Sequence, residues 1–566
     1  MTFQFPRSKT ARWAIFGGVL IACLWIMLRL PPDVSGLILA GLIIGSVAAA
    51  GVATRGLRWP PAALWQDERT APRLVGLACG LFALSAYFFR PMPQSFVHYR
   101  PTPEPEVFYH PLAPWLFAAG VIALLLALVQ RRRDLVRVPV AAGPLPGVRW
   151  WTLVPLTLGT LALFALAEIN GRLAGSTFLE GRSPEVQFGL LVIGVALVTI
   201  GLAGIDWRRQ IGAVAWGEVA LVSTITLAAL LIRLWRLDAS VRTLIDEGHF
   251  LFGVTYFWEF PDVRLLEPMQ TTASFPFIFS YGQAWAVEAL GRNLGAVRLP
   301  SAVCGALTVP ALYVLARTLF GRTTALAAAL ILAGFPPHLH YSRLALNNIA
   351  DPLFGTWALA FIARGLRHNH RLDYALGGVM LGLTQYFYEG GRLFFPLLAL
   401  GWLAAGLILW RPRPALRGAI VMLVAFALVG FPLYYTLISM DFPLIDRLEK
   451  TRLDDIYPEL DNGSGTLRTR LVHFRQSLML YVNAPENTIF YYYLYYGGKH
   501  PLILEYLVPL FFLGLVFALW RWRGPGVLPL GWVLLTSAGN AMLVESGVTA
   551  RYVIAFPALA LLVALG

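Results

Sequence analysis

Charge is scarce in this chain, and lysine and cysteine are scarcer. Only 13% of its 566 residues are Asp, Glu, Lys or Arg, against 57% hydrophobic, and the mean hydropathy is +0.64. A set of water-borne domains needs far more charge to cover its surface, so that reading is excluded, as are disordered and fibrous ones. The three cysteines, Cys23, Cys79 and Cys304, all lie in apolar segments. They suggest no disulfide framework, zinc site or thiol nucleophile. There is no Walker loop, no G-x-G-x-x-G on a strand and no H-E-x-x-H, which leaves ATP-driven transport and cytosolic nucleotide chemistry without support. With three lysines (Lys9, Lys450, Lys499), arginine carries nearly all of the positive charge. The net charge of +14, from 45 Lys+Arg against 31 Asp+Glu, clusters in short loops between apolar runs. That pattern points to membrane topology and not to nucleic acid.

What is present is a succession of apolar runs of roughly 20 residues, each long enough to cross a hydrocarbon core of about 30 Å as a helix. The fold class is therefore an all-α polytopic membrane protein. Spans are expected at roughly 13–30, 35–53, 74–89, 112–130, 151–170, 187–205 and 211–232, the first with an uncleaved basic N-terminus (Arg7, Lys9, Arg12). Nine more follow at roughly 297–316, 323–339, 351–365, 372–388, 393–410, 417–437, 501–519, 526–543 and 551–566, about 16 crossings in all. Arginines at 55, 58, 69 and 73, at 131–133 and 137, at 208–209, and later at 317/322, 364/367/371, 411/413/417 and 521/523 mark the cytoplasmic loops. The N-terminus is then cytoplasmic and the protein a multi-pass plasma (inner) membrane protein. Ala273 to Leu290 is expected to lie in or dip into the outer interface, because counting it as a crossing would invert every later loop and it carries Gln283 and Glu288. Arg233, Arg236 and Arg242 stand outside near a helix end, against the charge rule, and are either tolerated or functional.

This topology gathers polar groups on the extracytoplasmic face. Asp246 and Glu247 precede the aromatic run Phe250 to Phe260; a carboxylate against apolar surface loses hydration and becomes a better base. Tyr341-Ser342-Arg343 leads to Asn347, Asn348 and Asp351-Pro352. Helix capping explains Asp351 well, whereas an outer arginine suits a phosphate or sugar. Tyr386, Tyr388, Glu389 and Arg392 form a third group, readable equally as an aromatic belt with a snorkelling arginine. The tyrosine-rich run Tyr491 to Tyr496 reads chiefly as interfacial anchoring, and Arg551-Tyr552 supplies another candidate cation.

From Ile245 to Tyr388 the sequence resembles the membrane glycosyltransferases of GT-C fold related to dolichyl-phosphate-mannose protein mannosyltransferases and bacterial aminoarabinose transferases. The resemblance rests on Asp246-Glu247, on Arg298-Leu299-Pro300-Ser301-Ala302, on Arg317 to Arg322, on Ser342-Arg343 through Asp351-Pro352, and on Arg551-Tyr552 ahead of Pro557. It covers about 211–566. Residues 1–205 form a six-span extension, 206–437 a catalytic transmembrane module, 438–500 an extracytoplasmic segment and 501–566 the closing helices. The resemblance implies an inverting transferase that takes a sugar from a polyprenyl-phosphate donor, with Asp246 as general base and Glu247 beside it, and Arg551 or Arg343 on the donor phosphate. The family's second acid falls at Asn348 on one spacing and at Asp351 on another. These two, with Tyr388, Glu389 and Arg392, are the candidate substrate contacts. A divalent metal, if used, would fall to Asp246 and Asp351. The expected partners are the lipid-linked donor, a protein, lipid or glycan acceptor bearing a hydroxyl or amine, and the membrane. The rival readings are a secondary transporter or lipid flippase, marked by acids at mid-membrane and paired repeats, a polysaccharide polymerase or ligase, and a structural membrane subunit.

Overall fold

The structure, a computed structural model, describes residues 70–88, 112–130, 145, 150–172, 175, 179–204, 215–239, 241, 246–269, 275–410, 413–445, 465–483, 496, 501–543 and 546–566. The expected spans at 13–30 and 35–53, most of the 438–500 segment and its tyrosines 491–495 lie outside the described residues. Two compact units divide the chain, one of residues 1–101 and 106–134, the other of 102–105 and 135–566. In the first, α1 (Thr70–Phe88) packs on α2 (Leu112–Gln130) through a Ser85 Oγ to Ala113 O bond of 2.7 Å and an edge-on Phe82–Phe117 contact.

The second unit is helical, and no strand occurs among the described residues. Its helices are α3 (Leu153–Gly171), α4 (Pro184–Ala203), α5 (Trp216–Leu234), α6 (Glu247–Glu259), α7 (Ile278–Leu290), α8 (Leu294–Leu319), α9 (Arg322–Gly334), α10 (Pro336–Tyr341), α11 (Ala350–His368), α12 (Arg371–Leu383), α13 (Glu389–Leu409), α14 (Leu416–Ser439), α15 (Gly465–Met479), α16 (Val508–Trp520), α17 (Val527–Ala541) and α18 (Phe556–Leu565). Six stretches, 150–171, 184–203, 216–234, 294–319, 389–409 and 416–439, are long and apolar enough to cross a membrane by length and composition. Only 17% of the apolar window of α5 is buried, leaving Leu227, Leu231 and Ile232 facing outward, as lipid-facing side chains do. Where helices meet, small residues admit close backbone approach: a Cβ on Gly378 would stand 2.1 Å from the Met422 carbonyl oxygen across the α12–α14 contact.

Polar contacts sort to two ends of this bundle. At one end, Glu218 at the start of α5 accepts from Arg317 Nε (2.9 Å) and from the Tyr313 hydroxyl near the end of α8. Arg367 donates to Thr318 O, Arg364 to Asp373, and Arg371 to Leu202 O. At the other end, Arg233 near the close of α5 reaches Ala333 O, His338 and Ser342, and Arg298 near the start of α8 reaches Leu237 O and Glu247.

Glu247 opens α6 and Arg298 lies near the start of α8, and the two side chains are in contact across the 51 positions between them. Helices α6 and α7 have 13 residues each, about 20 Å of rise against the ~30 Å of a hydrocarbon core. Gln283, mid-way along α7, donates to Val297 O at 3.0 Å, near the start of α8.

Candidate functional site

Asp246 occupies the N-cap position of α6 and is partly exposed, while Glu247, one residue on, is fully buried. Burial of that carboxylate is tolerable because Arg298 meets it with two prongs, Nε to Oε1 and Nη2 to Oε2, both at 2.8 Å. Arg298 is itself fully buried and gives Nη1 to Leu237 O (3.0 Å) and Val241 O (3.1 Å). Every prong of the fork is thus engaged, as a desolvated ion pair requires. Glu247 Oε1 also accepts from Ala345 N at 2.7 Å. The DE pair is in this way fastened to the loop between α10 and α11.

That loop, residues 342–349, is the hub of the site. Ser301 Oγ holds Leu346 O at 3.1 Å. Arg233, fully buried, donates from Nε to Ser342 Oγ (3.2 Å) and pairs with His338 Nδ1 (2.9 Å). Arg343 reaches Trp235 O with Nη2, and its Nε is buried without a partner. Asn348 donates to Ala550 O at 3.3 Å, leaving its buried Oδ1 unsatisfied. Through Ala550 the loop meets the segment carrying Arg551, and Tyr341 adds a second tie, 2.7 Å from Thr549 Oγ1. Burial, with Arg298 adding to it and Glu247 opposing, pushes His340 down to about 4, so its imidazole is neutral at physiological pH. Its ring lies against Tyr341 and Tyr496.

Asp351 is fully buried in the first turn of α11 and acts across the bundle, accepting from Tyr388 N (3.2 Å) and Gly391 N (2.8 Å). Only glycine fits at 391, since a Cβ there would lie 2.2 Å from the Asp351 carboxyl carbon. The Tyr388 ring rests on Phe275 with centroids 5.3 Å apart, and Glu389, the first residue of α13, is buried. Arg392, expected near substrate, donates to Gln385 O (3.0 Å) and Leu444 O (2.7 Å) deep in the protein. It holds the backbone around the Tyr388 turn.

The four polar stretches singled out in the sequence therefore converge on one end of the bundle. Two residues outside the candidate site set prove central, Arg298 and Arg233. Arg298 stood in a quoted motif, but its partner is 51 positions away and no local spacing links them. Arg233 carried a signal, its position against the charge rule.

Asp246 and Asp351 form no three-ligand set with other carboxylates or imidazoles among the described residues, and both oxygens of Asp351 are taken by backbone amides.

In class, then, this is an all-helical polytopic membrane protein with a buried polar cluster at one end of its bundle. Residues 274–432 match the family model described as dolichyl-phosphate-mannose-protein mannosyltransferase, a family of membrane glycosyltransferases. The resemblance drawn from the motifs is shown over that segment, which contains Arg298, Asn348, Asp351 and Arg392 and lies between Asp246 and Arg551. Among solved structures, the chain is similar to the Archaeoglobus fulgidus oligosaccharyltransferase AglB in complex with an inhibitory peptide and a dolichol-phosphate, at 15% identity and a TM-score of 0.41, over 62% of this chain and 50% of that one. It is also similar to ArnT from Cupriavidus metallidurans bound to undecaprenyl phosphate, at 18% identity and a TM-score of 0.40, over 62% and 60%. This chain thus spans about half the length of the archaeal structure. No curated protein sequence matches.

Proposed function

We propose that the chain is an inverting glycosyltransferase that moves a sugar from a polyprenyl-phosphate-linked donor to an acceptor hydroxyl or amine on the extracytoplasmic side of the membrane. The observation that carries this reading is the Glu247–Arg298 pair and its Ala345 bond. Together they fasten Glu247, and with it the neighbouring, partly exposed Asp246, to the loop that also touches the Arg551 segment. A proton acceptor and two cations are thereby supported by one loop.

In this mechanism Asp246 takes the proton of the acceptor as its oxygen or nitrogen attacks the anomeric carbon. The bond from that carbon to the phosphate oxygen breaks in line, and the phosphate leaves on its lipid tail. Arg343, with a free buried Nε, and Arg551 stabilise the departing charge. Glu247 positions Asp246 through its two-pronged bond with Arg298. Asp351, Asn348, Tyr388 and Glu389 shape the sugar side. The chemistry needs no nucleotide, in keeping with a compartment that holds none.

The test is transfer of radiolabel from a panel of polyprenyl-phosphate sugars by purified protein. Asp246→Asn should lower turnover by about 10²-fold or more with the fold intact, since the amide keeps the shape and cannot accept a proton. At Arg551 and Arg343, Ala should raise the donor requirement more than Lys, which keeps charge but not the two-pronged geometry. Near-normal turnover by the Asp246 variant removes it from the mechanism. Donor kinetics unchanged at both arginines would place the phosphate elsewhere, and a transporter would show neither effect.

A further inference from the structure

At the bundle end opposite the candidate site, the turn from α11 to α12 reads His368-Asn369-His370-Arg371-Leu372-Asp373. His368 closes α11, Asn369 takes a left-handed conformation at φ 55°, His370 is the N-cap of α12, and Asp373 lies in its first turn. The tight reversal turns both imidazoles toward one carboxylate. A ligand atom from each of the three residues lies within 4.8 Å of the other two.

Two features go beyond a chance grouping of polar side chains. Asp373 is 2% exposed, and its Oδ2 is buried without a hydrogen-bond partner, as is His370 Nδ1. These atoms face each other at 3.6 Å, too far for a hydrogen bond. Zinc-class bonds to histidine nitrogen and carboxylate oxygen are about 2.0–2.2 Å, which places neighbouring tetrahedral ligands roughly 3.3–3.5 Å apart. The His370–Asp373 separation is already close to that edge. The His368 and His370 rings are 5.6 Å apart between centroids, and His368 is exposed. The other Asp373 oxygen, Oδ1, accepts from Arg364 Nε at 2.9 Å. Such a bond fixes a ligating carboxylate and leaves one oxygen for the ion. Of the nearby arginines, Arg367 donates to Thr318 O and Arg371 to Leu202 O.

We propose that His368, His370 and Asp373 form a binding site for a divalent cation of the zinc class, which fastens the α11–α12 turn and leaves a fourth position to water. Two imidazoles and one carboxylate suit zinc and its transition-metal neighbours better than magnesium or calcium, which prefer all-oxygen shells. The proposal is independent of the catalytic reading.

The experiment uses the full chain, purified in detergent without a polyhistidine tag, and equilibrium dialysis against Zn²⁺ alone and with excess Mg²⁺. One Zn²⁺ is expected per chain, not displaced by Mg²⁺, and Co²⁺ in its place should show the visible bands of a tetrahedral site. His368→Gln and His370→Gln should each weaken retention by at least about tenfold. His368 is exposed, so that variant keeps its fold, as its size-exclusion profile will report. The proposal is overturned if the chain retains no Zn²⁺, if Mg²⁺ displaces it, or if both variants bind it as the parent does. Each of those outcomes reduces the cluster to a His–Asp pair at a helix start.

Discussion

Asp246 and Glu247 are neighbours in sequence and unlike in circumstance, and the difference can be measured at each residue. Glu247→Gln leaves the fully buried Arg298 guanidinium facing a neutral amide, and breaking a buried pair on one side costs on the order of 3–5 kcal/mol. The expected outcome is a large drop in the thermal midpoint of the detergent-solubilised protein, where Asp246→Asn leaves it nearly unchanged. Equal midpoints for the two variants would contradict the role given to the pair. Adding Arg298→Met to Glu247→Gln should recover part of the loss by removing the uncompensated charge. His340 supplies a pH signature. Its affinity for protons falls from the ordinary 6.5 to about 4 in the fold. The unfolded chain therefore binds more protons than the folded one between those values, and stability is present above about pH 6.5 and lost as pH falls toward 4. His340→Gln should flatten that part of the stability profile, checked by melting the two proteins side by side across it.

At the scale of elements, Asp351 links α11 to α13 through a carboxylate that accepts the amides of residues 388 and 391. Gly391→Ala drives a methyl into that carboxylate. It should destabilise by about 1–3 kcal/mol as an overpacked site and lower transfer activity more than Gly401→Ala, where a Cβ meets nothing within 4 Å. Unfolding midpoints and turnover of the two variants decide it. The helices themselves were legible in the sequence because apolar runs bounded by arginine, glycine and proline announce spans: 416–439 matches an expected 417–437, and 389–409 an expected 393–410. The division of 323–339 into α9 and the short α10 was not, although Pro336-Pro337 marks the break. Asp351 shows why site roles are harder. Helix capping accounts for it from sequence alone, while its cross-bundle partners are backbone amides that carry no residue signature. The sequence could place the polar groups at one end of the bundle, because topology requires only counting, but could not pair Glu247 with Arg298, because that contact exists only after folding.

At the scale of the whole molecule, the two bundle ends make the charge rule intelligible. Arg317, Arg322, Arg364, Arg367 and Arg371 cluster at one end, as cytoplasmic loops do. The arginines at the other end include Arg233, Arg298 and Arg392, which are buried and bonded inside the protein. A buried, bonded cation carries little weight in orienting a loop, which accounts for Arg233, while Arg236 on the same flank is exposed. This yields a test of sidedness across a single helix. Helix α8 has 26 residues, about 39 Å of rise, and its flanks carry the exposed Arg292 and Thr323. In a background with Cys23, Cys79 and Cys304 replaced, Arg292→Cys should react in intact cells with an impermeant thiol reagent. Thr323→Cys should react only after permeabilisation. The reverse pattern would put Asp246 on the cytoplasmic side and remove the extracytoplasmic assignment. Labelling of both from outside would mean that α8 does not cross, and the roughly 16-span topology would fall with it.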